Sequence, residues 1–131
     1  MIPESHSTLL AWGTRAIAHV ATLGPAGEPQ CNPMWFDWDG THIAFALKTD
    51  RQKYRNLKRD KRIAVSITDP SNPYRYLELR GELAFVEPDN EISFVSRLAK
   101  KYTNSDRFLY HKEGDQRVVV YVRPTYVTSM G

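Results

Sequence analysis

The chain has 131 residues, a length that suits one domain with a single core. Its composition, 41% hydrophobic and 25% charged, is that of an ordinary globular domain with no repeat or low-complexity tract, and its lone Cys31 excludes an internal disulfide framework or a multi-cysteine zinc site. The net charge of +3 is concentrated: seven of the 18 basic residues and one acid fall within residues 51–62, so this segment carries +6 and the remainder −3. Such concentration points to one place where an anion docks, and argues against a general polyanion or nucleic-acid binder, whose positive charge is spread widely. Met1 to His6 lacks the basic and apolar regions of a signal peptide, and no run approaches the roughly twenty apolar residues that cross a bilayer. The expected setting is the cytoplasm, with no membrane partner.

In chain order, Glu4 to Trp12 reads as a short helix ended by Gly13. Ala16 to Leu23 has the length of a strand, the Gly24-Pro25-Ala26-Gly27 turn follows, and Gln30 to Asp37 forms a second strand. Asp39-Gly40 is a hairpin signal that returns the chain along Thr41 to Leu47. Thr49-Asp50-Arg51-Gln52 fits the capping-box pattern, so the basic segment is expected to be a helix starting near Asp50 and ending before Lys61, with Tyr54 and Leu57 inward. Arg62 to Asp69 alternates as a strand, and Tyr74 to Val86 is extended around Gly81. Pro88-Asp89 opens a second helix with Ile92, Val95, Leu98, Ala99 and Tyr102 on one face, and Arg117 to Val122 forms a last strand ending at Pro124. Six short strands with helices inserted between hairpins predict a mainly β, antiparallel barrel in a single domain covering residues 1–131.

Familiar catalytic constellations are missing. His6, His19, His42 and His111 are scattered without carboxylates at ligand spacing, which predicts no metal, and Cys31 in a strand reads as a small apolar residue. No nucleophile elbow, P-loop or dinucleotide-binding glycine pattern occurs, so an enzyme built on this chain needs a bound cofactor.

The basic helix suits the acidic part of such a cofactor. Lys48-Thr49 delivers the chain into the helix N-terminus, whose free N–H groups favour an anion, and Arg51 and Lys53 add charge and donors. Residues two apart diverge by roughly 200° in a helix, so Arg51 and Lys53 share one phosphate only if Arg51 lies at or before the first turn. The Asp50 carboxylate competes for the same cap. Arg51, Arg55 and Arg59 form an i, i+4, i+8 stripe, a basic track longer than one phosphate requires. On the second strand, Pro33 interrupts the ladder and predicts a bulge or an edge. Gln30 and Asn32 share a face there, where their amides could read the polar edge of a flavin-like ring. Trp35, Phe36 and Trp38 read as core or interface anchors.

Three groups of residues carry a resemblance. The first is Ile17-Ala18-His19-Val20-Ala21-Thr22-Leu23 with Gly27-Glu28-Pro29-Gln30 and Asn32-Pro33-Met34-Trp35-Phe36. The second is Lys53-Tyr54-Arg55-Asn56-Leu57 with Asp60-Lys61-Arg62, and the third is Asn72 through Gly81. Together they resemble the pyridoxamine 5′-phosphate oxidase-like split β-barrels, in the actinobacterial branch of deazaflavin (coenzyme F420)-dependent reductases. The resemblance covers nearly the whole chain.

It implies a six-stranded, FMN-binding-like split barrel and a homodimer with two cofactor sites at the subunit interface. It also implies a phosphate on Arg51 and Lys53, a ring against Gln30, Asn32, Pro33 and Met34, and a partner subunit closing the pocket. Lys48, Thr49 and Asn56 complete the candidate cofactor contacts. The oxidases that use flavin carry an Arg, apolar residues and a Lys beside the ring. Met34-Trp35-Phe36-Asp37 does not reproduce this, which favours coenzyme F420 over FMN. The implied activity is hydride transfer from the reduced deazaflavin to an unsaturated small-molecule acceptor. An FMN-dependent oxidoreductase of the same fold and a non-catalytic cofactor carrier are the alternatives.

Overall fold

The computed structural model describes residues 1–131. A 3-10 helix, Glu4–Leu10, stands where the sequence predicts a longer helix to Trp12. Seven strands follow, interrupted by two helices. They are β1 (Ala18–Leu23), β2 (Pro29–Met34), β3 (Asp37–Trp38), β4 (Ile43–Lys48), α1 (Gln52–Arg59), β5 (Arg62–Asp69), β6 (Asn72–Pro88), α2 (Ser93–Thr103) and β7 (Arg117–Met130). All pairings are antiparallel, in the order β2-β1-β5-β6-β7-β4-β3. The seventh strand, relative to the six predicted, is the two-residue β3, which the Asp39-Gly40 turn brings onto β4 with Gly40 at φ 95°.

This order makes a split barrel. β2 and β3 lie at opposite edges of the sheet, yet three Cα steps separate Met34 from Asp37, a reach of about 10 Å. The sheet therefore has to curl until its edges nearly meet, while no β2–β3 ladder closes it. Trp35 and Phe36 lie in the split, and α2 braces it: the Tyr102 ring stacks on Trp35 at 5.3 Å, and Tyr102 Oη donates to Ala16 O. Burial pushes the Tyr102 hydroxyl up to about 12, so it stays a donor across the working range of pH. Inside the curl, Val20, Phe36, Phe45, Val65, Leu79 and Val120 belong to one buried core.

β6 and β7 are longer than their apolar patterns suggest. A bulge between Arg80 and Gly81 lets β7 continue through Pro124, which pairs with Gly81. Pairing with β4 stops at Val122, so the missing N–H of Pro124 interrupts no ladder on that side. Gly81 is required here, because a Cβ would lie 2.2 Å from Arg123 O.

α2 begins three residues later than the Pro88-Asp89 signal, after Ile92 in a left-handed conformation at φ 54°. Asp89 still holds its start. The buried carboxylate accepts N–H bonds from Phe94 and Val95, both at 3.1 Å. Asp89→Ala is expected to cost about 1–2 kcal/mol, seen as a lower urea midpoint with unchanged slope; an unchanged midpoint would show that the helix starts without this cap.

Candidate functional site

Pro33 places β2 at the sheet edge, with β1 its one strand neighbour. Its side chains form one wall of a cleft of about 890 Å³. Of the residues singled out in the sequence, Gln30, Asn32, Pro33, Met34, Lys48, Arg51 and Lys53 line this cleft; Thr49 and Asn56 do not. The N–H of Thr49 is taken by Gln116 O at 2.9 Å, and this tie to the start of β7 sets the course of the chain into α1. The expected capping box does not form. Arg51 occupies the cap position with extended backbone and no side-chain cap bond, while the Asp50 carboxylate lies 3.8 Å from Lys48 Nζ. Asp50 therefore leaves the helix start open, and Arg51 lies before the first turn, as sharing one anion with Lys53 requires.

Asn56 is fully buried and joins α1 to both strands of the wall. Its Nδ2 donates to Thr22 Oγ1 at 3.0 Å and to Gln30 Oε1 at 3.1 Å, and its Oδ1 accepts from Gln52 at 2.7 Å and Arg59 at 3.1 Å. Gln30 Nε2 donates in turn to Asn32 Oδ1 at 3.3 Å. Lys53 Nζ reaches the same Asn32 oxygen at 3.4 Å. Lys53 is 8% exposed and has no carboxylate partner; burial holds its pKa below the ordinary lysine value, opposed by Cys31 and reinforced by Arg51.

The basic stripe is not a continuous track. Arg55 folds back to Asp50 O and Gln52 Oε1, and Arg59 to Leu23 O and Asn56. Arg51 keeps its guanidinium free of protein hydrogen bonds. Tyr54 is half-buried where Leu57 is fully inward, and Cys31 is exposed on the outer side of the edge strand rather than packed as an apolar residue.

Sequence reasoning missed the opposite wall. The segment between α2 and β7 brings Phe108, Tyr110, His111 and Lys112 over the cleft, with Asp115 and Arg117 at its base. Asp115 lies 3.5 Å from Lys48 Nζ and 3.6 Å from Arg117 Nη2. The Lys112 N–H, aided by Lys48 and Arg117, keeps its carboxyl below the ordinary value against the effect of burial. The aromatic pair Phe108 and Tyr110 around Leu109, between Arg107 and His111, was the available signal. A second hollow of about 480 Å³ opens from the cleft past Met34, Ala46 and Phe108 toward α2, and seven of its nine lining residues are hydrophobic.

In chemical terms the cleft has a cationic end formed by Lys48, Arg51 and Lys53, an amide-bearing edge strand, and an apolar extension. No group of three or more His, Cys, Asp or Glu side chains stands close enough together to hold a metal ion, and no helix is long and apolar enough to cross a membrane.

No curated protein matches the chain. Among solved structures, an F420 reductase is 42% identical over 97% of this chain and 98% of its own, with a TM-score of 0.86. Two more distant structures share the fold. A conserved hypothetical protein from Mycobacterium tuberculosis is 24% identical, over 99% of this chain and 85% of its own, with a TM-score of 0.70. General stress protein 26 from Bacillus anthracis is 19% identical, over 97% and 92%, with a TM-score of 0.69. Residues 4–131 match the pyridoxamine 5′-phosphate oxidase family; with that match and the split barrel around the cleft, the chain belongs to this family and carries its flavin- and deazaflavin-type oxidoreductase fold.

Proposed function

We propose that the protein is a coenzyme F420-dependent oxidoreductase that passes a hydride from the reduced deazaflavin to an unsaturated small-molecule acceptor. The observation that carries this reading is the cleft itself, whose cationic end and amide wall fit an elongated anionic cofactor, in a chain 42% identical to an F420 reductase. Arg51 and Lys53 hold the phosphate, with Lys48 beside them. Gln30, Asn32, Pro33 and Met34 face the ring, and the segment from Phe108 to Lys112 covers it. Asn56 acts as a positioning residue, fixing the wall to the helix that carries the cations. With Arg55 and Arg59 turned back onto the protein, Arg51 and Lys112 are the exposed cations left for an acidic tail.

The bound reduced cofactor supplies the hydride, and the acceptor gains that hydride plus one proton from solvent. The chain's part is to hold both molecules in contact and keep water from the reacting atoms. The apolar hollow continuing from the cleft favours an enzyme over a carrier, which needs no room beside its cofactor. A homodimer in the cytoplasm, with the second subunit closing the open side at β2, completes the reading.

Equilibrium titration of the purified protein with coenzyme F420 and with FMN, followed by fluorescence, tests it. Coenzyme F420 is expected to bind more tightly than FMN, and its affinity to fall with added salt as the exposed cations are screened. A yellow protein that purifies with stoichiometric FMN and ignores added coenzyme F420 would overturn the reading, and a monomeric mass of the loaded protein in sedimentation would remove the dimer.

A further inference from the structure

Arg117 is placed unlike the other cations of the cleft. Its side chain is 9% exposed, and it lines both the cleft and the apolar hollow. Its guanidinium lies over the Phe108 ring, 4.6 Å from the centroid, and its Nε donates to His111 Nδ1 at 3.0 Å. Asp115, at 3.6 Å from Nη2, is beyond hydrogen-bond distance and is shared with Lys48 at 3.5 Å. Both terminal nitrogens of Arg117 thus lack a protein hydrogen bond, yet no buried polar side-chain atom is left unsatisfied. Arg117 lines both hollows, which places its side chain where they join. Positive charge held this deep, with the planar donor pair unused, suits a carboxylate.

The hollow beyond Arg117 sets the rest of the ligand. Ile17, Trp35, Val95 and Leu98 line it, and Arg117 is its one charged residue. At about 480 Å³ it takes a small molecule of one or two rings.

Resting on the reading of the cleft as the cofactor site, we propose that this hollow seats the acceptor. The acceptor is a flat, conjugated, apolar carboxylate whose carboxylate lies on the terminal nitrogens of Arg117 and whose body extends toward α2. Arg117 selects the acid over neutral molecules of the same shape, and Phe108 holds the guanidinium plane.

Calorimetric titration of the full chain with trans-cinnamate and with its neutral counterpart cinnamamide, alone and after saturation with oxidised coenzyme F420, tests this directly. Cinnamate is expected to bind at least tenfold more tightly than cinnamamide. Arg117→Met is expected to abolish that preference while leaving cinnamamide binding nearly unchanged. Ile17→Trp, which fills the hollow from outside the cleft, is expected to weaken both probes and to leave coenzyme F420 binding as in the parent. Should Arg117→Met fail to fold, the Ile17→Trp arm and the acid-to-amide preference still decide. Equal affinity of the parent for the two probes, a preference that survives Arg117→Met, or competition between cinnamate and coenzyme F420 would overturn the proposal. Failure of coenzyme F420 to bind, with both probes behaving as expected, would remove the cofactor reading and leave the carboxylate site standing.

Discussion

Replacing Lys53 by methionine is expected to weaken coenzyme F420 binding by about ten- to a hundredfold, because it removes a charge-assisted contact worth roughly 1.5–3 kcal/mol. The same change is expected to raise the melting temperature of the cofactor-free protein by a few degrees. Lys53 is nearly buried, and its ammonium has one long hydrogen bond, to Asn32, and no ion-pair partner. Taking such a group out of water costs stability, and a methionine of similar length relieves that cost by about 1 kcal/mol. The direction of the pKa shift sets the pH dependence. Because the folded protein holds the Lys53 proton less tightly than the unfolded chain, stability contributed at this site rises with pH from the lowered folded value up to the ordinary 10.5. Anion affinity runs the other way and declines over the same range as the charge is lost. Differential scanning calorimetry and cofactor titration on the same preparation check both halves. Unchanged affinity would remove Lys53 from the clamp, and a lower melting temperature would show that the ammonium is offset by contacts stronger than its single bond.

Leu57→Ala is expected to cost about 2–5 kcal/mol of folding stability and to weaken the cofactor site as well. Leu57 is 1% exposed within the main core and sits one turn after Lys53 on α1. An eight-residue helix has little stability of its own, so α1 exists because its inner face is held against β1. Truncating that anchor leaves a cavity under the helix and loosens the cations it carries. Urea unfolding and cofactor titration should therefore both move. A large loss of stability with unchanged affinity would mean that the Asn56 bonds to Thr22 and Gln30 are enough to hold the helix in register.

The sequence made the strands legible where a bounded apolar run or an alternation lay between turn signals, as in β1 and β5; the Asp39-Gly40 hairpin that returns the chain along β4 followed from local chemistry, and so did the edge position of β2, one of the two outcomes Pro33 allowed. The inward face of α1 at Leu57 was equally plain. What stayed hidden depended on contacts distant in sequence. β7 runs past Pro124 because its Thr125 bulges out of the pairing with β6 between Arg80 and Gly81, which no local pattern around Pro124 announces. The capping box at Thr49 gave way to a backbone bond with Gln116. Arg55 and Arg59 read as an outward stripe from spacing alone, while carbonyls of Asp50 and Leu23 turn them back. The wall from Phe108 to Lys112 is a tertiary return across the split, so its residues acquire a place in the cleft through the curl of the sheet.

The amide chain behind β2 has a direction, and the cations at its ends fix it. Arg59 can only donate, so the Asn56 oxygen must face it, and Arg55 does the same to Gln52. The Asn56 nitrogen is then committed to Gln30 Oε1, which leaves Gln30 to donate to Asn32, whose oxygen also receives Lys53. Each amide oxygen in the row thus already accepts a bond, and those of Asn56 and Asn32 accept two. What remains free on Gln30 and Asn32 is mainly hydrogen: the second N–H of Gln30 and the amide nitrogen of Asn32, against one lone pair on Gln30 Oε1. The side chains of this wall therefore offer more donors than acceptors, which suits the carbonyl oxygens and bare nitrogens of a ring edge, while β2, as an edge strand, keeps main-chain N–H and C=O groups unpaired beside them.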